Sequence, residues 1–208
     1  MILYPTHHIH PYPTGEDVVD PSVAPCRVWI PEQPMLVLGY SQDVEREIHL
    51  ASAETAGISI YKRKGGGGAV LLTQGVVCVA LRFQRKPGFG IAEYFSAANG
   101  MIQTVFKNEW KVDLVPRGIS DLAIGDHKAL GSSLYLPRDH ALYLASILVN
   151  APLSLFDQYL RYPSREPEYR RGRNHGDFLR NLSDVPGMES VSTDQVRGKL
   201  EIGLGRSI

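Results

Sequence analysis

The first candidate for chemistry is a basic stretch followed by glycines. Three basic residues, Lys62, Arg63 and Lys64, precede four consecutive glycines, Gly65 to Gly68. Glycine loses more backbone freedom on folding than other residues, so such a run is favoured where the backbone approaches a ligand closely. The main-chain N–H groups can then turn toward an anion, and the neighbouring cations add positive charge. The stretch predicts an anion- or carboxylate-binding loop, and the alternative is a flexible turn between two strands.

The residues around the glycines argue against three familiar kinds of site. No Lys-Ser or Lys-Thr follows them, so the loop lacks the phosphate-binding pattern of P-loop NTPases. The β-rich run over residues 70–83 predicts a strand, whereas a dinucleotide-binding fingerprint opens a helix. The G-x-S-x-G pattern of serine hydrolases is also absent.

A second candidate is Lys128, which lies between two β-rich segments. A lone lysine there is ordinarily a solvated turn residue, but this one follows Asp121 and precedes Gly131-Ser132-Ser133. Asp121 has two possible roles. It holds Lys128 or an adenosine group, or it only caps a turn. His140 either orients the loop that carries Lys128 or is a plain hairpin histidine.

The elements that must position these residues alternate between strands and helices. Apolar spacing predicts an amphipathic helix from residue 43 to Gly57 with Ser41 as its cap, a long helix over 91–110, and a helix over 193–204. Residues 151–183 look helical, with a break rich in proline and arginine. Strands are predicted at 27–30, 35–40, 58–61, 69–72, 76–83, 112–115, 121–124, 128–136 and 141–149. Gln74-Gly75 suggests that two of these strands form a hairpin. The pattern predicts an α+β fold with a mixed, largely antiparallel sheet packed with helices.

Composition narrows the class of protein. The chain has 208 residues, 43% of them hydrophobic, which is enough for one domain with a sizeable core. Basic and acidic residues number 22 each, so no overall positive charge indicates nucleic acid. No apolar run reaches the length of a membrane span, and the two cysteines, Cys26 and Cys78, form no disulfide framework or metal motif. We therefore expect a cytoplasmic protein with no metal held by its own side chains.

Four motifs in register resemble the lipoate–protein ligase family of the biotin/lipoate ligase superfamily. The family loop R-R-x-G-G-G-A-V matches residues 63–70, and the family's G-R-x-Q resembles Gly39-Tyr40-Ser41-Gln42. The family's N-D-L, spacer and G-x-K-[IL]-x-G-[ST]-A pattern is matched by Ser120-Asp121-Leu122-Ala123-Ile124-Gly125-Asp126-His127-Lys128-Ala129-Leu130-Gly131-Ser132-Ser133. The family's His-Gly-x-L-L corresponds to His140-Ala141-Leu142-Tyr143-Leu144. The resemblance covers residues 27–183.

The resemblance implies an α/β catalytic domain shared with biotin ligases and a two-step reaction. Lipoate or octanoate reacts with ATP, accompanied by Mg²⁺, to give an acyl-adenylate. The acyl group then passes to a lysine of an acceptor lipoyl domain or H-protein-like carrier. By position, Lys128 is the catalytic residue. The implied substrate- and adenylate-binding residues are Arg63, Gly66, Gly67, Gly68, Ala69, Asp121, Gly131 and His140.

The expected domain organisation follows from the same match. Residues 1–26 form an N-terminal arm, residues 27–183 the catalytic domain, and residues 184–208 a helical tail of that domain. No C-terminal accessory domain is visible, so a separate accessory subunit can be required. No nucleic-acid or membrane partner is expected.

Departures from the family pattern leave alternatives open. A family-like His and Asn after the glycines are replaced by Leu72 and Val76, which makes a non-catalytic relative that binds an acyl-adenylate or carrier domain one alternative. A transferase that needs no ATP is another, but it requires a nucleophilic cysteine. The acyl slot is expected to use strand residues such as Val37, Val77 or Val79. The arginines over residues 161–180 have two interpretations. They form a basic patch that binds the nucleotide or the acceptor, or they form a solvated face.

Overall fold

Two β-sheets and their flanking helices make up the part of the chain that the computed structural model describes, residues 8–12 and 25–205. The strands are β1 (Ile9–Pro11), β2 (Cys26–Trp29), β3 (Met35–Leu38), β4 (Ser59–Lys62), β5 (Val70–Leu72), β6 (Val76–Gln84), β7 (Val115–Arg117), β8 (Asp121–Ile124), β9 (His127–Tyr135) and β10 (His140–Leu148). The helices are α1 (Val44–Glu47), α2 (Leu50–Thr55), α3 (Ile91–Trp110), α4 (Ser154–Tyr159), α5 (His175–Phe178) and α6 (Thr193–Gly205), with 3-10 helices at Glu168–Arg170 and Leu182–Asp184. The predicted α+β class with a mixed, largely antiparallel arrangement is confirmed.

The smaller sheet has the strand order β1-β4-β3-β5, in which β4 runs parallel to β1 and β3, and β5 is antiparallel to β3. Strand β3 lies inside this sheet and its Leu36, Val37 and Leu38 are almost fully buried. An apolar run without alternation is typical of a strand covered on both faces. The prediction that residues 35–40 form a central strand is therefore confirmed for its first four residues.

The larger sheet is antiparallel, with the order β2-β6-β10-β9-β8-β7. Its central strands β6 and β10 pair along their full lengths. Side chains alternate between the two faces of a strand. Accordingly Val77 and Val79 pack under α3 and α6, whereas Cys78 and Ala80 face the smaller sheet. The two predicted hairpins after the long helix, β8–β9 and β9–β10, are present.

The hairpin predicted at Gln74-Gly75 is wrong. Strand β5 pairs with β3 in the smaller sheet, whereas β6 pairs with β2 and β10 in the larger one. The short turn between them, in which Val76 N–H donates to Thr73 O at 3.0 Å, carries the chain from one sheet to the other. A turn signal predicts a change of direction, but pairing depends on which strand lies alongside.

The helix predicted from residue 43 to Gly57 is divided in two. Asp43, rather than Ser41, caps α1 by accepting Arg46 N–H at 3.1 Å. Ile48 leaves the helix to form a β-bridge with Leu160. Helical spacing across this break was compatible with one helix, but a contact with a residue far along the chain interrupts it. Gly57, with φ of 65°, follows the end of α2 as expected.

The long helix α3 and the tail helix α6 cover the outer face of the larger sheet. Both were predicted within a few residues of their observed bounds. Large apolar side chains of α3, such as Ile102 and Phe106, are fully buried in the core against this sheet. Helix α3 ends at Lys111, which adopts a left-handed conformation with φ of 59°. The helices therefore cover one face of the larger sheet, and its other face packs against the smaller sheet.

The structure differs from the prediction in the N-terminal arm and in residues 151–183. Residues Ile9–Pro11 of the predicted arm form β1, which pairs with β4, and Tyr12 is buried in the core. This part of the arm is therefore a strand of the domain. The helical character expected over residues 151–183 is reduced to two helices of six and four residues and two 3-10 helices. No helix among the described residues is long and apolar enough to cross a membrane.

Candidate active site

The glycine loop joins β4 to β5, and the buried side chain of Arg63 holds it from beneath. Nη2 of Arg63 donates to Gly66 O at 2.8 Å and to Gly68 O at 2.7 Å, and Nε donates to Gly66 O at 3.1 Å. Burial lowers the pKa of Arg63 to about 10, so the guanidinium stays charged at neutral pH. Because the C=O and N–H of a trans peptide point in opposite directions, the N–H groups of Gly67 and Ala69 face away from Arg63. Arg63 therefore positions the loop, and its direct contact with a ligand stays a prediction.

Glycine is required at two places in this arrangement. Gly67 has φ of 94°, a conformation that residues with a side chain rarely adopt. A Cβ on Gly39 would lie 2.0 Å from Gly67 O, so the end of β3 can pass the loop only without a side chain. No hydrogen bond among the described residues uses the N–H of Gly67. The loop thus presents a donor that can bind an anion.

Lys128 forms an ion pair with Asp121. Lys128 Nζ lies 2.8 Å from Asp121 Oδ1, and the other carboxylate oxygen accepts the hydroxyl of Tyr169 at 2.9 Å. Asp121 is 7% exposed at its side chain and Lys128 is 25% exposed. Of the two interpretations of Asp121, the structure supports the one in which it holds Lys128.

Gly131 leaves the space that the Lys128 side chain occupies. A Cβ at Gly131 would lie 2.7 Å from Cε and 2.8 Å from Nζ of Lys128. Gly131 pairs with Asp121 across β8 and β9, and a register shift between Leu122 and Ala123 pairs Lys128 with Ala123. Lys128 therefore lies on the same face of the sheet as Asp121. The glycine and the carboxylate together direct the ammonium group along the strand surface.

Two cavities adjoin at the glycine loop and Lys128. The wide cavity has a volume of about 790 Å³ and the narrow one about 110 Å³. Both are lined by Gly67, Gly68, Lys128 and Gly131. Of the predicted site residues, Ala69 also lines both cavities, Asp121 the wide one and Arg63 the narrow one. The structure therefore brings most of the predicted set together.

The narrow cavity lies between the two sheets. Val37 and Leu72 of the smaller sheet and Cys78 and Leu144 of the larger sheet line it. Val37 lies in the wall of this narrow cavity, and its role in an acyl slot stays a prediction. Val77 and Val79 point into the opposite core because side chains alternate along β6. Cys78, between those valines, takes the place that was expected of them.

Irregular segments form much of the wide cavity. Arg161, Arg165 and Arg170 of the arginine-rich stretch line it, together with Glu166 and Glu168. Arg161 and Arg165 are exposed, so the solvated-face interpretation stays open for them, whereas Arg170 is buried and its Nε lies 3.8 Å from Glu166 Oε2. Arg170 lies between the rings of Tyr162 and Phe178, at 5.0 and 4.9 Å from their centroids, so part of its role is to order this wall.

Two predicted residues do not join the site as expected. Gly66 is outside both cavity walls, although its carbonyl anchors the loop to Arg63. His140 pairs with Gln84 at the far end of the β9–β10 hairpin from Lys128, and its Nδ1 lies 2.9 Å from Asp139. Lys128 also belongs to a strand rather than to a loop. The interpretation of His140 as the residue that orients Lys128 is therefore wrong.

Sequence patterns missed three polar residues near Lys128. Tyr169 binds the carboxylate of Asp121, and Asp157 lies 3.0 Å from Nδ1 of His175, which lines the wide cavity. These residues come from the segment around the Pro- and Arg-rich break, where no periodicity indicated a function. The only available signal was the density of polar residues in a stretch with no regular structure.

The cysteines lack the environment of a nucleophile. Burial, reinforced by Glu201, raises the pKa of Cys26 to about 11. Burial also raises the pKa of Cys78 far above its usual range. Because the thiolate is the reactive form, neither sulfur is activated at neutral pH.

Comparisons with known proteins give the family. The family model of the lipoyl protein ligase A/B catalytic domain matches residues 17–204. The chain belongs to this family. Lipoate–protein ligase 1 of Plasmodium falciparum is 25% identical over 125 residues, covering 60% of this chain and 29% of that protein. Subunit 1 of the Thermoplasma acidophilum lipoate–protein ligase A is 22% identical over 183 residues, covering 83% of this chain and 68% of the subunit.

Solved structures of the lipoyl ligase family share the fold. The T. acidophilum bipartite ligase, solved as part of an archaeal lipoylation system with its E2 lipoyl domain, superposes with a TM-score of 0.74 at 22% identity, covering 88% of this chain and 70% of the other. A lipoate–protein ligase A with bound ATP gives the same score at 22% identity, covering 88% and 71%. The chain spans between 29% and 49% of three curated relatives, from Aeropyrum pernix, Mycoplasma genitalium and P. falciparum.

Proposed function

We propose that this protein activates lipoate or octanoate with ATP to an acyl-adenylate and transfers the acyl group to a lysine of a carrier domain. The observation that carries the proposal is the junction, at Lys128 and the glycine loop, of a wide cavity whose wall includes several arginines with a narrow slot between the two sheets. An acyl-adenylate has the matching shape, with a nucleotide at one end and an apolar chain at the other. Family relatives add support, because one has been solved with bound lipoic acid and another with ATP.

In the first step the acid's carboxylate attacks the α-phosphate of ATP, and pyrophosphate leaves. This attack brings two anions together, so it needs positive charge at the junction. In the proposal the Lys128 ammonium, directed by Asp121 at 2.8 Å, supplies that charge. The N–H groups of Gly67 and Ala69 add donors that are already oriented, because Arg63 holds the loop carbonyls on its other side.

The ligands divide between the two cavities. The acyl chain occupies the narrow slot between Val37, Leu72, Cys78 and Leu144, where burial of apolar surface stabilises it. The nucleotide occupies the wide cavity, where Arg165 and Arg161 lie in the wall. Among the described residues no group of three or more His, Cys, Asp or Glu side chains could hold a metal ion. The proposed Mg²⁺ is therefore one that ATP brings on its phosphates.

The partners and location are proposed from relatives and from the free thiols. A carrier lipoyl domain or H-protein-like protein receives the acyl group, as the T. acidophilum system with its E2 lipoyl domain suggests. That ligase is bipartite, so a separate accessory subunit is included in the proposal. Cys26 and Cys78 are both free, which agrees with the proposed cytoplasmic location.

Release of pyrophosphate tests the proposal. The protein is mixed with lipoate or octanoate, ATP and Mg²⁺, with acid-free and ATP-free mixtures as controls. We expect pyrophosphate release that depends on both substrates. Calorimetric binding of the acid and ATP without release would support the non-catalytic alternative. Acyl transfer between carrier domains without ATP would support the transferase alternative, and a Cys26→Ala, Cys78→Ala double variant would show whether a thiol is involved.

A further inference from the structure

A histidine–aspartate pair in the wall of the wide cavity has no place in the roles described so far. His175 begins α5 and Asp157 lies in α4. His175 Nδ1 is 3.0 Å from Asp157 Oδ1, and the main-chain N–H groups of His175 and Gly176 donate to the same carboxylate at 2.9 and 3.1 Å. An ionised carboxylate only accepts hydrogen bonds, so Nδ1 carries the proton and Nε2 carries a lone pair.

The second ring nitrogen of His175 is left for a ligand. Among the described residues, Nε2 forms no hydrogen bond, although the side chain is only 10% exposed. Nε2 is not one of the fully buried side-chain atoms without a partner, so this nitrogen is accessible from outside, as a group that takes a proton from a ligand must be. The cavity in question is the one that Lys128 also lines.

The backbone connects His175 closely to Lys128. Leu179, at the end of α5, forms a β-bridge with Lys128, and Arg180 N–H donates to Lys128 O at 2.9 Å. His175 lies one helical turn before Leu179, since Leu179 N–H donates to His175 O at 2.8 Å. The imidazole and the ammonium are thus fixed on neighbouring elements of one wall.

The charges around His175 favour its neutral form. Burial lowers the pKa of His175 below its ordinary value, and the positive charges of Arg170 and Lys128 act in the same direction. Asp157 opposes them by hydrogen bond and by charge. Partial burial opposes ionisation of Asp157, but the hydrogen bonds from His175 and Gly176 lower its pKa. At neutral pH the pair is therefore a carboxylate and a neutral imidazole in the wall of the wide cavity.

We propose that His175 is the general base of the acyl-transfer step and that Asp157 is its positioning residue. This inference rests on the proposed function. The attacking lysine of a carrier is an ammonium ion at neutral pH and must lose a proton before its nitrogen can attack. Asp121 already holds Lys128 and Tyr169. A neutral imidazole with an unpartnered nitrogen, in the wall of the cavity that Lys128 also lines, supplies the acceptor that is needed.

In the proposed step, one proton of the carrier's ammonium moves to His175 and a second moves to AMP. The carrier's ammonium gives one proton to Nε2 of His175, and the amine nitrogen attacks the acyl carbonyl carbon. As the C–N bond forms, the bond between the acyl carbon and the phosphate oxygen breaks, and AMP leaves with the electron pair. The second proton of the nitrogen goes to the phosphate of AMP. The imidazolium returns its proton to solvent, and Asp157 stabilises its charge meanwhile.

Two small nucleophiles test this role without an identified carrier. With octanoate, ATP and Mg²⁺, hydroxylamine traps the adenylate as a hydroxamate; it is uncharged at pH 7 and needs no base. n-Butylamine is protonated as lysine is, so the amide that it forms depends on a base. For His175→Gln, at saturating ATP, we expect amide formation to slow by at least about 100-fold more than hydroxamate formation does. Asp157→Asn should show a smaller loss of the same kind, and His49→Gln, outside both cavity walls, should show none.

The outcomes separate this inference from the proposed function. If the wild-type protein forms no hydroxamate, the proposed function fails whatever His175 does. If the wild-type protein forms both products and His175→Gln loses neither, or loses both equally, the assignment of His175 as the transfer base is overturned. The pH profile gives a second measurement. The ratio of wild-type to His175→Gln amide rates should be highest above pH 7 and approach one as acid protonates His175, whereas a purely structural role leaves the ratio constant. Thermal unfolding of each variant identifies one that fails to fold, in which case Asp157→Asn decides.

Discussion

The two cavities differ in how the chain builds them. Residues of regular strands wall the narrow slot, including Val37, Leu72, Cys78 and Leu144. The wide cavity is walled largely by loops and short helices, with Arg161 to Arg170 and His175 on one side. Regular strands give the narrow slot walls of fixed position, which carry apolar side chains together with Arg63, Lys128 and several serines. Irregular segments can present charges from several directions. Under the proposed function, this difference predicts that the acyl chain is selected by shape and the nucleotide by charge.

Four of the residues that line both cavities differ in kind from the residues of either cavity alone. Gly67, Gly68 and Gly131 contribute backbone and space, and Lys128 contributes the charge. A reacting centre between an apolar and a polar compartment needs room for ligand atoms and one well-placed cation. Changes at the junction should therefore affect both substrates, and changes within one cavity should affect one.

The largest effect is expected from Lys128→Ala. Removing the junction's ammonium should abolish both adenylate formation and transfer, because loss of one oriented donor alone typically raises a barrier by about 3–4 kcal/mol. Pyrophosphate release and hydroxamate formation measure the effect. Lys199→Ala is the matched control, since Lys199 pairs with Glu109 on the helical face. Near-wild-type rates in a folded Lys128→Ala protein would remove this residue from the mechanism.

A second change crowds the junction without removing a charge. The new methyl group of Gly131→Ala would lie 2.7 Å from Cε of Lys128 and displace the side chain. We expect at least about a tenfold loss of adenylate formation, equivalent to about 1.4 kcal/mol of barrier. The matched control is Gly198→Ala in α6, where a Cβ meets nothing within 4 Å. If the two variants had equal activity, the position of Lys128 would not be limiting.

The third change should have the smallest effect, and it should alter the binding of one substrate only. Cys78→Leu adds bulk to the narrow slot, so KM for octanoate should rise several-fold while KM for ATP stays constant. Overpacking of this kind commonly costs about 1–3 kcal/mol of stability, which thermal unfolding will register. Cys26→Leu makes the same exchange outside both cavities. Equal changes in both KM values would contradict the division of the ligands between the cavities.

Local patterns predicted those parts of the fold that depend on neighbouring residues. The spacing of apolar residues predicted α3 and α6, and the alternation after residue 120 predicted the β8–β9 and β9–β10 hairpins. The patterns gave the wrong element or the wrong strand pairing where a contact with a residue far along the chain determines the structure. Ile48 leaves a helix to bridge Leu160, and β5 pairs with β3 instead of β6.

For the candidate site, the sequence by itself determined the glycine loop, Lys128 and Asp121, because their residue types and order carry the chemistry and the family motif. Only the tertiary structure decided that Gly131 makes room for Lys128, that Cys78 faces the slot, and that His140 lies away from the site. It also decided the pairing of His175 with Asp157. These outcomes depend on sheet pairing and on contacts between segments far apart along the chain, which leave no periodic signal in either segment.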